Sequence, residues 1–194
     1  MDIVRPEART NMPDDSKLVF KGVIFDVYQW QQKMYDGTFA TFEQLKRADA
    51  VAVIPVLPDG KILLIEEEQP NYKRMHIDLP MGRIEEGEDP LHAAKRELLE
   101  ETGHEASEWI LFHSYQPVNK IEWAIFTFVA KGVRRVAEKS LDIGEKIELK
   151  PVSRKDFFDL VLEQDVGGPP LIRTVLEAKL DPDKSAALES YLRP

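Results

Sequence analysis

Three glutamates, Glu97, Glu100 and Glu101, fall on one turn of a segment whose apolar spacing predicts a helix. Residues three and four apart share a helix face, so Glu97 crowds both of the others, at about 0.2–0.5 kcal/mol per like-charged pair. Gly103, the expected C-terminal stop, follows at once, where the helix dipole already presents partial negative charge. An isolated helix disfavours this arrangement, and a local rule broken in this way points to a functional site. Carboxylates fixed on one rigid turn offer the hard oxygens that Mg²⁺ selects. The plain alternative is a solvated acidic face.

The flanking residues favour the metal. They run Gly82-Arg83-Ile84-Glu85-Glu86-Gly87-Glu88, then Asp89 to Lys95, then Arg96-Glu97-Leu98-Leu99-Glu100-Glu101-Thr102-Gly103-His104. This pattern resembles the Nudix box: Gly, five residues, Glu, seven residues, Arg-Glu, a bulky aliphatic, any residue, Glu-Glu, any residue, Gly, a bulky aliphatic. Every fixed position in the 23-residue window matches except the last, where His104 replaces an aliphatic that packs and does no chemistry.

The elements that must position this segment are legible around it. Asp89-Pro90 gives the helix a capping side chain and a proline at its first position. Leu91, Ala94, Leu98 and Thr102 then face the core. Upstream, residues 1–15 read as a loose polar tail. Leu18 to Met34 and Phe39 to Leu45 read as a two-stranded hairpin turned at Asp36-Gly37. Ala50–Leu57 and Lys61–Glu66 are strands joined by Pro58-Asp59-Gly60, and His76–Leu79 leads into the box. Downstream, Trp109–Tyr115 and Ile121–Ala130 are strands, Lys131–Gly144 is a long polar connection and Ile147–Val152 is a last strand. Helices follow from Ser153, Pro170 and Asp183. Strands interrupted by one central helix, with helices at the end, give a mixed α/β sheet between helical layers.

Composition bounds the rest. At 194 residues and 43% apolar content the chain suits one packed domain, or a core with a small appendage. Without cysteine it has no disulfide, no zinc–thiolate site and no thiol nucleophile. No apolar leader opens the chain and no long apolar run follows, so a soluble cytoplasmic protein with no membrane contact is expected. A net charge of −9 argues against broad nucleic-acid binding, yet a bound cation would admit a phosphate-bearing substrate. The four histidines lack metal-ligand spacing, and no Ser/His/Asp set stands out.

The resemblance to the Nudix family implies an α/β/α sandwich with a mixed sheet over residues 48–194. Residues 1–47 would form an N-terminal β appendage that mediates dimerisation. It implies hydrolysis of a nucleoside diphosphate linked to another group, using Mg²⁺ or Mn²⁺. Glu97 and Glu101 would be the principal metal ligands, with Glu100 a ligand or its neighbour and the Met81 carbonyl a further oxygen. Gly82 would let the loop approach the metal, Arg96 and Glu88 would pair, and Gly103 would end the helix. Leu79-Pro80-Met81-Gly82, and Pro117 fourteen residues beyond Gly103, resemble the branch that hydrolyses ADP-ribose and other nucleotide sugars. That branch places an acid in a late loop to bind metal or activate water. Glu145 is the candidate here and Asp142 the reserve, against a reading of both as solvated charges.

One departure stands out. The branch carries an arginine two residues beyond a Gln, for the substrate's phosphates, whereas Gln69 is followed by Pro70-Asn71. Lys73 and Arg74 take over that role, or the phosphate contacts differ. For the base, Tyr28, Trp30 or Tyr35 could stack or could simply pack the hairpin. Arg47 could reach the same pocket or cap a surface. The competing readings are a Nudix hydrolase of dinucleoside polyphosphates, coenzyme A or capped RNA, and a non-catalytic nucleotide-sugar binding module.

Overall fold

The structure, a computed structural model, describes residues 3–70, 73–141 and 143–194. Its chain order begins with β1 (Lys17–Lys21), β2 (Asp26–Lys33), β3 (Phe39–Lys46), β4 (Ala50–Pro55), β5 (Ile62–Glu68), β6 (His76–Asp78) and β7 (Met81–Arg83). Then come α1 (Pro90–Thr102), β8 (His104–Glu105), β9 (Glu108–Tyr115), β10 (Ile121–Glu122), β11 (Ile125–Lys131), β12 (Arg134–Arg135) and β13 (Lys146–Val152). The chain closes with α2 (Arg154–Gln164), α3 (Gly168–Leu180) and α4 (Pro182–Tyr191).

The two most apolar strands, β4 and β11, lie side by side and parallel, buried on both faces, as continuous apolar runs require. Antiparallel β7 and β9 flank them in the order β7-β4-β11-β9. Strand alternation sorts their side chains into two cores. Val51, Val53, Phe126 and Phe128 meet Ala93, Ala94 and Leu98 of α1. Ala52, Ile54 and Val129 face the other way, onto Phe157 and Val161 of α2, Leu171 and Val175 of α3, and Leu188 of α4. This is the α/β/α sandwich. A second sheet, β13-β5-β6, is antiparallel throughout and shares the terminal-helix core through Ile62, Leu64 and Ile77.

Several expectations are corrected. The N-terminal hairpin has three strands, because the chain reverses at Gly22, whose N–H donates to the Phe25 carbonyl at 3.1 Å. A Cβ at Gly22 would lie 2.4 Å from that oxygen, so only glycine closes this turn, which carries no Asn-Gly or Asp-Gly signal. The single strand expected over Ile121–Ala130 breaks at Trp123-Ala124: β10 joins β3 in the first sheet, while β11 enters the central one. The tail is not loose over the described residues 3–6. Arg5 grips Asp49 with Nε at 2.6 Å and a terminal nitrogen at 3.0 Å, Pro6 O accepts from Gln116, and Ile3 packs on the α1 core. The polar connection after β11 is also ordered: β12 pairs β8, Val136 and Ala137 donate to the Gly103 carbonyl, and Ser140 N–H donates to the Glu100 carbonyl. Buried partners supplied from far along the chain hold both segments, so composition alone reads them as loops.

Candidate active site

The box helix is built as its sequence dictates. Asp89 accepts from the N–H groups of Leu91 and His92, Pro90 occupies the first turn, and Gly103 at φ 72° ends it with a bond to the Leu99 carbonyl. Its inward face carries Ala93, Ala94, Leu98 and Thr102, but also Glu97 and Glu101, which are only 9% and 6% exposed. Buried carboxylates need partners, and these two have few. Glu101 accepts from the Met81 N–H at 2.9 Å, and Glu97 accepts from Arg96 at 2.8 Å.

Arg96 organises the outer side. It donates twice to Glu88, at 3.1 and 3.0 Å, once to Glu100 at 3.0 Å, and once to the Arg83 carbonyl at 2.9 Å. One guanidinium thus ties the loop after β7 to two of the three crowded helix glutamates, and it compensates part of the repulsion that the spacing implies. Glu88 is held below the usual carboxylate range by that bond. Glu101 lies beyond Arg96's reach in the bonds formed. Burial, with Glu97 next, pushes its carboxyl up to about 9. Glu97 is also raised, chiefly by burial, with Arg96 opposing.

Gly82 makes the close approach possible. A Cβ there would lie 2.0 Å from the Glu97 carboxyl carbon, so β7 can run past that carboxylate only as glycine. Above the two acids opens a cavity of about 990 Å³. It is lined by Glu97, Glu100, Glu101 and Glu145, by the Lys21 to Asp26 turn, Tyr28, Lys46 and Arg47, and by Gln69 and Arg83. Glu145 adds to the field that raises Glu97 and Glu101, so it stands close to both. Asp142 lies outside the described residues.

The structure therefore gathers Met81, Gly82, Arg96, Glu97, Glu100, Glu101, Glu145, Gln69, Tyr28 and Arg47 around one cavity. It does not bring Trp30, Arg74 or Pro117 to that wall. Trp30 packs on Phe42 at 6.1 Å and donates to Gln32 instead. Tyr35 is fully exposed. Sequence reasoning missed Arg83 at the end of β7, Glu85 and Glu86 in the loop after it, all exposed at the cavity's edge, and Ser140, carried in by the connection after β12. It also missed the apolar turn residues Val23 and Ile24 at the cavity edge. Their only signal is an apolar pair beside a glycine.

The donor set fits a hard divalent cation. Two buried carboxylates face each other's charge with one bonded cation between them, and Glu101 has only an amide. Among the described residues no three acidic or histidine side chains converge into a complete cage. Mg²⁺ does not need one, since one or two carboxylates with waters and substrate phosphates suffice.

Comparison with known proteins agrees with this geometry. Residues 46–169 match the model of the NUDIX domain. An ADP-ribose pyrophosphatase of Bacillus subtilis is 30% identical over 150 residues, 76% of this chain and 81% of that protein. The methanol dehydrogenase activator of Bacillus methanolicus is 28% identical with the same coverage, and a mouse ADP-sugar pyrophosphatase is 44% identical over 63 residues, about 30% of each chain. A crystal structure of an ADP compounds hydrolase superposes with a TM-score of 0.70 over 88% of this chain and 93% of that one, at 18% identity, so the fold is shared. With its box intact and its glutamates buried under a cavity, the chain belongs to the Nudix family of hydrolases.

Proposed function

We propose that the protein hydrolyses the diphosphate bond of nucleoside diphosphate sugars, ADP-ribose first, to a nucleoside monophosphate and a sugar phosphate. The observation that carries this reading is the pair of buried carboxylates, Glu97 and Glu101, in the lining of a cavity that basic and aromatic residues also line. Relatives named for ADP-ribose and ADP-sugar hydrolysis support the substrate class.

Glu97 and Glu101 would hold Mg²⁺, or Mn²⁺ in its place, with Glu100 and the Met81 peptide beside them. When bound, such a cation neutralises the diphosphate and acidifies a water. Glu145, which lines the same cavity, would accept the water's proton. Arg96 stays bonded to Glu88 and so keeps loop and helix aligned rather than contacting substrate. Tyr28 and the Val23–Ile24 turn offer the base an aromatic and apolar surface. Turnover of ADP-ribose with Mg²⁺, abolished by EDTA, is the expected result, with product masses of AMP and ribose 5-phosphate. A wild-type protein that leaves a panel of nucleoside diphosphate sugars intact with Mg²⁺ or Mn²⁺ would defeat the reading.

The same proposal makes the protein a cytoplasmic homodimer, with residues 1–47 as the appendage that joins two copies. Strand β1 is a sheet edge, and Leu18, Val19, Phe20, Val23 and Ile24 expose large apolar surface along it. Edges of this kind pair with another chain unless blocked. No helix among the described residues is long and apolar enough to cross a membrane. Light scattering at micromolar concentration is expected to give twice the 22.3 kDa chain mass, and a monomer at that concentration would refute the dimer.

A further inference from the structure

The arginine that the resemblance implies two residues beyond Gln69 is missing, and Asn71 stands in its place. Arg74 does not line the cavity. A diphosphate lying over Glu97 and Glu101 nevertheless needs cationic groups on its far side, because the floor is strongly acidic. The cavity has five basic side chains: Lys21, Lys46, Arg47, Arg83 and Arg96. Arg96 is spent on Glu88, Glu97, Glu100 and a carbonyl, and Lys46 is paired with Glu122 at 3.4 Å.

Arg47 and Arg83 differ from these. Neither forms a side-chain ion pair among the described residues. Arg47 lies flat on Trp123, its guanidinium carbon 4.3 Å from the ring centroid, with Phe25 at 5.5 Å on another side. Stacking of this kind fixes the plane of the fork and leaves its edge N–H groups for an anion. Its Nε is buried with no acceptor. Burial, and then the positive charge of Arg83, make Arg47 easier to deprotonate than an ordinary arginine, so the two cations stand within electrostatic reach of each other. Two like charges that line one cavity without an acidic partner repel until an anion joins them.

We propose that Arg83, at the first variable position of the box, forms with Arg47 a two-arginine clamp that takes the substrate's diphosphate oxygens on the side away from Glu97 and Glu101. The charge missing after Gln69 is thereby supplied from β7, one residue beyond the glycine that admits Glu97. The inference rests on the hydrolase reading for the substrate, but the clamp recognises the diphosphate alone. A non-hydrolysable diphosphate therefore tests it separately.

Calorimetric titration of the full chain with imidodiphosphate in the presence of Mg²⁺ is the direct experiment. Wild type is expected to bind. Arg83→Gln and Arg47→Gln should each weaken binding by about tenfold or more and flatten its salt dependence, Arg83→Lys should restore part of the loss, and Arg74→Gln should match wild type. In parallel assays, Arg83→Gln should raise KM with kcat nearly unchanged, as loss of a contact made equally in ground and transition states requires. Wild-type affinity in Arg83→Gln, or no binding by wild type itself, overturns the clamp. Arg83-dependent imidodiphosphate binding without hydrolysis of any nucleotide sugar would leave the clamp standing and remove the substrate assignment.

Discussion

Glu97→Gln is expected to lower kcat by at least about a hundredfold, equivalent to roughly 2.7 kcal/mol of transition-state stabilisation. The amide is nearly isosteric, so it still fits beneath Gly82, where a Cβ would push the side-chain end from its place. The scaffold should survive, because Arg96 keeps its two bonds to Glu88, its bond to Glu100 and its bond to the Arg83 carbonyl. What is lost is the negative charge that a divalent cation requires, in a place too buried for water to replace it. Circular dichroism should be unchanged while Mn²⁺ affinity, read by electron paramagnetic resonance, falls with activity. A variant keeping more than about a tenth of wild-type turnover, a barrier change below roughly 1.4 kcal/mol, would remove Glu97 from the metal site.

The parts of this site that were legible in the sequence are those written by local physics. Asp89-Pro90 and Gly103 bracket α1 because capping and left-handed termination act within a few residues. The carboxylate cluster was visible because like charges on one helix turn are locally unfavourable. The α/β/α layering followed from doubly buried strands and amphipathic helices. What the sequence hid depends on partners far away in the chain. The break at Trp123-Ala124 goes with Asp49 accepting from the Ala124 N–H at 2.8 Å, 75 residues away, while Arg5 grips the same carboxylate, and Gln116 donates to the Pro6 carbonyl 110 residues away. The turn at Gly22 depends on a carbonyl three residues on and carries no turn dipeptide. Arg83 occupies a variable position of the box, so its type alone carries no signal. Charges in loops reveal their use only when the tally of acceptors is complete.

The metal-free protein should lose stability as pH rises from about 6.5 to about 9, and Mg²⁺ should reverse that loss. The sign follows from proton binding. Glu101 keeps its proton in the fold up to about 9, whereas an unfolded glutamate releases it near 4.5, so across that window the native state holds the extra proton and stability falls with rising pH. Glu97 is raised for the same first reason, burial, and contributes in the same direction. His113 opposes them at lower pH. Buried on β9, it is pushed down to about 4, so its unfolded form binds the extra proton between about 4 and 6.5 and stability rises with pH there. Above 6.5 the histidine no longer offsets the carboxylates, and the decline is unopposed. A bound cation ionises both glutamates and converts their repulsion into attraction, so Mg²⁺ should raise the melting temperature more at pH 9 than at pH 6.5. Glu101→Gln, which cannot ionise, should flatten the metal-free profile and abolish most of the Mg²⁺ response. Thermal melts in EDTA that stay level between pH 6.5 and 9, or a Glu101→Gln profile as steep as wild type, would show that this buried carboxyl does not hold its proton and that the charge on the cavity floor is balanced in some other way.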